Sequence, residues 1–364
     1  MSMNVQSSPM PSFKLSQPGA VKLGRLFAPL FALGLIFTNP IFAGPLRAGM
    51  PLADVAAAGR SLGPDADAYR ALQEGRNDDA SALLRATLAA NPTDATAHQL
   101  LCRVFYAQDD AGNAIRQCEL AVSYAPAGSD LASDSQLWLG RAYGMKARHS
   151  NLIVAFTLAR KVDASFARAV EINPSNVAAL NDLGEYYVDA PFIVGGGPDK
   201  ARALAARIMP RFPGAAHRIL ARLADSDNDL ATAEFEFKQA VAAEHTPDAW
   251  IDLAQFYQGH ARPDDALAAV KSALAADRTH GPALVDAASI LTAAQRAPDL
   301  AERCLRDYLG SRAKSDAAPA FKVHLQLSRM LAARGDTSGA EREAAAAAEL
   351  APAFMRSTKT AQGL

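Results

Sequence analysis

The side chains in this sequence that come nearest to doing chemistry are seven histidines, three cysteines and one glycine-rich loop. The histidines (His98, His149, His217, His245, His260, His280 and His324) are scattered one to a region. None belongs to His-Glu-x-x-His or to a short His/Cys cluster, the spacings that bring ligands onto one cation, so no metal site is expected. Gly195-Gly196-Gly197-Pro198-Asp199-Lys200 superficially resembles a phosphate-binding loop. Such a loop needs four residues between its glycines, then Gly-Lys-Ser/Thr opening a helix after a strand. Here Ala201 follows the lysine and both flanks have helical periodicity. The three glycines therefore read as a turn that needs their backbone freedom, or as a loop that touches a partner. No nucleophile, base or metal cluster can be assembled, so neither an enzyme nor a cofactor is expected.

The elements that must position these residues are helical hairpins. Ala80, Ala114, Ala233, Ala266 and Ala340 each lie twelve residues after Ala68, Cys102, Ala221, Ala254 and Ser328, partners that are all small. Two antiparallel helices approach closely only where both present small side chains, so the spacing describes one hairpin repeated. Low aromatic content (7%) with half the residues hydrophobic suits thin, closely packed helix pairs. Turn chemistry agrees with the periodicity. Pro198, Pro263 and Pro298 each sit three residues before the packing alanine of a second helix, where a first-turn proline is tolerated. Gly75 and Gly335 can end helices, and Asn77, Asp78 and Asp336 can begin them. Eight hairpins are placed at 64–92, 95–126, 133–174, 177–213, 214–245, 247–280, 281–315 and 320–352. The third (133–174) carries about ten extra residues at helical spacing, expected to form longer helices that protrude beyond the solenoid, and the fourth contains the glycine loop at 190–200.

The pattern resembles the tetratricopeptide repeat (TPR), carried by Leu139-Gly140-x-x-Tyr143, Leu183-Gly184-x-x-Tyr187 and Trp250-x-x-Leu253-Ala254-x-x-Tyr257. The stretch from Leu137 to Ala201 further resembles exported bacterial TPR proteins that have no described function. The resemblance implies an all-α fold, a right-handed superhelical solenoid of about eight TPR-like hairpins over 64–352, in which each repeat contacts only its neighbours. It also implies a non-catalytic scaffold that holds a protein or peptide in its concave groove. On the family's groove positions fall Gln99, Arg103, Tyr106, Leu137, Arg141, Asn181, Glu185, Arg218 and Arg222. Of these, Arg103, Tyr106, Arg141, Asn181, Arg218 and Arg222 are the candidate partner-binding residues. Arg103, Arg141 and Asn181 could clamp a chain-end carboxylate, since a guanidinium binds one bidentately. Glu185 would oppose this, and ordinary solvated surface charge is the other reading. His98 and His324 fall at a packing position of their repeats.

Residues 1–43 read as a signal peptide. Lys14, Lys22 and Arg25 precede the uncharged run Leu26–Phe37, and cleavage is expected after Ala43. Without this segment the formal charge moves from −1 to −4, since three basic residues and no acidic ones are lost. A mildly acidic chain without basic runs argues against nucleic-acid binding. Residues 44–63, rich in Gly, Pro and Ala, read as a linker, and 353–364 as a C-terminal tail. The expectation is an exported, periplasmic scaffold for a protein or peptide of the cell envelope. The alternatives are a membrane-anchored assembly factor that retains residues 26–44 as an inner-membrane helix, and a small-molecule or lipid carrier. On this reading a membrane is a partner only if the N-terminal segment is retained. Export would place Cys102 and Cys118, on facing helices of one hairpin, in an oxidising compartment where they can bond. Two buried thiols at small-residue positions is the other reading, and Cys304 stands alone.

Overall fold

The computed structural model describes residues 65–362. Consecutive antiparallel helices pair into eight hairpins, with no strand among the described residues. They are α1 (Ala66–Gln73) with α2 (Asn77–Ala90), α3 (Ala95–Ala107) with α4 (Ala111–Tyr124), and α5 (Asp130–Arg148) with α6 (Leu152–Ile172). Next come α7 (Val177–Asp189) with α8 (Pro198–Ile208), α9 (Pro213–Ser226) with α10 (Leu230–Glu244), and α11 (Pro247–Gly259) with α12 (Pro263–Ala276). The last pairs are α13 (Ala283–Ala293) with α14 (Pro298–Gly310) and α15 (Ala320–Ala333) with α16 (Thr337–Leu350), and a single helix α17 (Pro352–Gln362) follows. The architecture is an all-α solenoid of TPR-like repeats. Residues 1–43 and 44–63, and with them the expected signal peptide and linker, lie outside the described residues. No helix among the described residues is long and apolar enough to cross a membrane.

Small side chains set the helix spacing. Ala80, Ala114, Ala233 and Ala266 are wholly buried, as are Cys102, Ala221 and Ala254 across from them. The Leu-Gly-x-x-Tyr motifs work in the same way. A Cβ on Gly140 would lie 2.5 Å from the Phe166 ring, and one on Gly184 2.5 Å from Ile219. Pro198, Pro263 and Pro298 open α8, α12 and α14, where their missing N–H has no helical partner to lose. Asp94, Asp110, Ser129, Asn151, Asn176, Asp229 and Asp336 each accept a backbone N–H three residues on. Asn77 does not cap; it is the first residue of α2, buried, with its amide turned toward the Val104 carbonyl at 3.5 Å.

Hairpin three overhangs the rest. α5 and α6 run 19 and 21 residues, whereas α7, packed beside them, runs 13. Halfway along α6 the glycine loop closes against it. The Tyr186 hydroxyl lies 2.7 Å from the Ala159 carbonyl and 2.8 Å from that of Val194, within the single 3-10 turn Phe192–Val194. A Cβ on Gly195 (φ +105°) would lie 2.0 Å from the Asp163 carboxylate, and one on Gly196 would lie 1.9 Å from the Ala190 carbonyl. The triple glycine is thus a backbone requirement of this turn. Lys200 ties it to α6, donating to the Gly195 carbonyl at 2.6 Å with its ammonium 3.7 Å from the Asp163 carboxylate.

The solenoid also meets itself, which corrects the expectation that each repeat touches only its neighbours. Arg103 on α3 forks onto Asp316, before α15, with Nε and Nη2 each 2.8 Å from a carboxylate oxygen. Gln73 donates to the same carboxylate at 2.9 Å. Lys322 pairs with Asp109 at 2.8 Å, and the Ala353 N–H donates to Asp78 at 2.9 Å. Ala107 is buried together with Phe321, Ala347, Ala351 and Phe354. A Cβ on Gly75 would lie 2.8 Å from the Ala320 backbone nitrogen. The segment read as a C-terminal tail is therefore partly structural: α17 seats Phe354 on Phe321, ring centroids 5.0 Å apart, and helps close this seam.

Candidate functional site

The first helices of the hairpins carry the sequence-selected residues, which fall into two groups. Arg103 and Arg141 form the first. Arg141 on α5 forks onto Asp182 on α7, with Nε 2.7 Å and Nη2 3.2 Å from the two oxygens. The Trp138 ring lies between the two guanidiniums, 5.1 Å from that of Arg103 and 4.7 Å from that of Arg141. Tyr106 packs its edge against the same indole at 5.4 Å. Arg141 is only 1% exposed. Burial works against its charge, but Asp182 outweighs burial and holds the guanidinium charged. Asp316 shows the same balance: burial alone would raise its pKa, yet Arg103 and Gln73 hold it below the usual carboxylate range. The Nε/Nη2 edge of each arginine, the one that forks onto a carboxylate, is already taken by a carboxylate of this chain, and Arg141 Nη1 is buried without a hydrogen-bond partner among the described residues. The predicted clamp is corrected to a pair of internal ties.

The second group, from hairpins four to six, remains wet. Arg218 on α9 approaches Asp252 on α11 at 2.6 Å and Glu244 at 3.3 Å. Arg222 reaches Asp189 at 3.1 Å and Glu185 at 3.4 Å. The Glu185 side chain is 27% exposed, although it sits among Asp182, Asp189 and Asp252. Burial pushes its carboxyl up to about 7 against the pull of Arg222, with the neighbouring acids adding to the rise. Asn181 beside it is half-buried, and its Oδ1 has no hydrogen-bond partner among the described residues. Two arginines thus face four carboxylates (Glu185, Asp189, Glu244 and Asp252), so this group is acidic on balance.

Sequence reasoning missed the partners Asp182, Asp252 and Asp316. A signal existed for Asp252, which follows Arg218 by 34 residues, one repeat, and occupies the equivalent helix. A second ladder was also legible. His98, His217 and His324 each bond Gln117, Glu236 and Glu343, always 19 residues on, at 2.7, 2.6 and 2.6 Å. These are ties between the two helices of a hairpin, and no group of three or more potential metal ligands occurs among the described residues. Cys102 and Cys118 are joined by a disulfide between α3 and α4. Cys304 is buried, and its thiol is pushed up to about 11, chiefly by burial. A cavity of about 440 Å³ opens between α6, α7 and α8, lined mostly by apolar side chains including Val170, Leu180, Leu183, Ile208 and Phe212. It lies at the C-terminal end of α6, whereas the Ile193–Gly197 loop packs at the middle of that helix.

No protein-family model matches the chain, and no curated protein matches it. Among solved structures, TTC0263, a TPR protein of Thermus thermophilus, is similar at 21% identity, covering 65% of this chain and 92% of its own, with a TM-score of 0.36. Yeast Tom70 is similar at 16% identity, over 79% of this chain and 59% of its own, with a TM-score of 0.45. The C-terminal part of a TPR repeat-containing protein of Cytophaga hutchinsonii is similar at 13% identity, over 66% and 92%, with a TM-score of 0.36. These likenesses concern the helical-repeat fold alone.

Proposed function

We propose that the protein is a non-catalytic scaffold of the bacterial cell envelope, exported to the periplasm, that holds a peptide or protein segment on the concave face of hairpins four to six. The observation that carries this reading is the contrast along that face. Arg103 and Arg141 are buried and forked onto Asp316 and Asp182, whereas Asn181, Glu185, Arg218 and Arg222 keep contact with water. Four carboxylates against two arginines suit a segment that brings positive charge. Photo-crosslinking in intact cells tests the reading. A crosslinker placed at Asn181 should capture a defined protein that one placed at Phe235, exposed on α10, does not. Capture at neither position, or equally at both, rejects the concave face as the site. Mature protein beginning at Gly44 would support export with cleavage, while an intact N-terminus would favour the anchored assembly factor.

The cavity between α6, α7 and α8 favours a second reading, a carrier of a small amphiphile with its apolar part among Leu180, Leu183 and Phe212 and an anionic end at Arg207 or Arg211. Co-purification of a lipid-like molecule lost on Leu183→Trp would support it.

A further inference from the structure

We propose that the overhanging end of the α5–α6 hairpin, with the Phe192–Ile193 loop beside it, is a docking surface for an anionic lipid bilayer. Ile153 is 83% exposed and Phe192 80%, the two most exposed large apolar residues among those described, and Leu152, Val154 and Ile193 are exposed as well. A soluble surface scatters such residues singly, but these five belong to two adjoining segments. The glycine loop is fixed to α6 at Ala159 and Asp163, and Ile153 lies six residues earlier, about 9 Å along the helix.

Charge selects the occupant. From Ser135 to Val162 there is no carboxylate at all, while Arg141, Lys146, Arg148, Arg160 and Lys161 fall within that stretch. Arg141 is tied to Asp182, but Lys146, Arg148, Arg160 and Lys161 have no ion pair among the described residues. Lys161 instead stacks over the Tyr143 ring at 4.9 Å. On α6 the exposed stripe runs Ile153, Thr157, Arg160, Lys161, Ala164, so the apolar residue leads and the cations follow about two turns behind. That order lets aliphatic and aromatic groups enter the acyl boundary while the cations lie at headgroup level. In a chain otherwise acidic on balance, this stretch carries cations and no carboxylate. A protein partner fits less well, because the apolar residues stand on a projecting end rather than in a pocket, and lysine is depleted at protein interfaces. This inference is independent of the concave-face reading.

The test uses the full chain with an environment-sensitive fluorophore on His149→Cys, in the exposed turn that joins α5 to α6. Labelling is selective, because Cys102 and Cys118 are bonded and Cys304 is buried. Vesicles containing phosphatidylglycerol should raise the emission severalfold and shift it to the blue, and pure phosphatidylcholine vesicles should not. A second label on Phe235→Cys controls for adsorption through any other part of the chain. Adding Arg148→Gln/Arg160→Gln should weaken the response about 25-fold in apparent affinity, since each cation near an anionic surface is worth roughly fivefold. The proposal is overturned if His149→Cys stays silent with both lipids, if Phe235→Cys responds equally, or if lipid charge makes no difference. A silent tip that crosslinks to a protein in cells would make the surface a protein interface instead. Success at Asn181 with silence at the tip would remove this inference and leave the scaffold reading standing.

Discussion

The seam between the first two hairpins and the last, and the overhanging end of the α5–α6 hairpin, both depart from a plain repeat, yet their side chains are arranged in opposite ways. At the seam the named polar groups are partnered: Arg103 has Asp316, Lys322 has Asp109, Asp78 accepts the Ala353 N–H, and the apolar residues Phe321 and Phe354 cover each other. At the overhang Ile153 and Phe192 face solvent, and four cations stand without an ion pair among the described residues. Paired groups hold the fold together, and unpaired ones are available to something outside it. The wet acidic part of the concave face lies between these extremes, because its charges are paired but solvated.

The largest effect should come from breaking the seam. Asp316→Ala would leave the Arg103 guanidinium buried without its carboxylate, a loss of about 3–5 kcal/mol in urea unfolding. Arg103→Met/Asp316→Leu should recover most of that, because two apolar side chains there leave no buried charge. A loss below about 1 kcal/mol for Asp316→Ala would mean that the ends do not meet in solution, since it would be no more than an exposed ion pair contributes. The sign of the pH effect follows from Asp316. Its folded pKa lies below the usual 3.8, so its contribution is complete above that value and is lost as pH falls through the folded value. The seam should therefore loosen in acid, read as a rise in small-angle scattering radius before the helical signal is lost.

Next in size is the bond that stiffens the hairpin carrying Arg103. Cys102→Ala/Cys118→Ala should cost about 3 kcal/mol in the chain-entropy account of a loop this long. A cost at that level in oxidised protein, absent after reduction of the wild type, would separate the bond from the packing of the two side chains.

These two regions also mark where the sequence is legible. The hairpins were readable because their causes are local: Ala80 against Ala68, Gly140 against Phe166, Pro263 at the start of α12. The overhang was readable as extra helical residues that protrude beyond the solenoid, although the exposure of Ile153 in particular was not, because that depends on how far α7 reaches. The seam left no local trace. Arg103 and Asp316 are 213 residues apart, and they meet only because small rotations accumulate over seven hairpins. Arg103, expected to hold a partner's carboxylate, instead holds Asp316 of this chain. Arg141 shared that fate, because an insertion puts its partner Asp182 at 41 residues instead of the 34 that separate Arg218 and Asp252.

Glu185 tests the region between the extremes. Its carboxyl is pushed up to about 7, so its ionised form is disfavoured in the folded state. The penalty is absent below the ordinary glutamate value of 4.5 and complete once pH has risen through about 7. Wild type should accordingly lose stability between pH 5 and 8, and Glu185→Gln should remove about 1–3 kcal/mol of that loss. The comparison would be sharpened further if crosslinked partner capture at Asn181 strengthens as pH rises through the same window, when the face gains its extra negative charge. Parallel unfolding curves for the two proteins at pH 5 and pH 8 would show that Glu185 is solvated as fully as any surface acid.

The smallest expected effect is the one that separates function from folding most cleanly. Ile153→Ser/Phe192→Ser removes two large apolar side chains, yet both project into solvent, and neither substitution opens a cavity or leaves a polar group unpaired. The unfolding free energy should stay within about 0.5 kcal/mol of wild type, as for surface substitutions elsewhere. The same double variant should lose the vesicle response at the hairpin end. If it instead destabilises by as much as a core truncation, about 2–5 kcal/mol, the overhang is covered in solution by part of this chain and belongs with the seam. If stability is kept and lipid binding is lost, the two departures from the repeat have separate causes: one closes the scaffold, and the other attaches it.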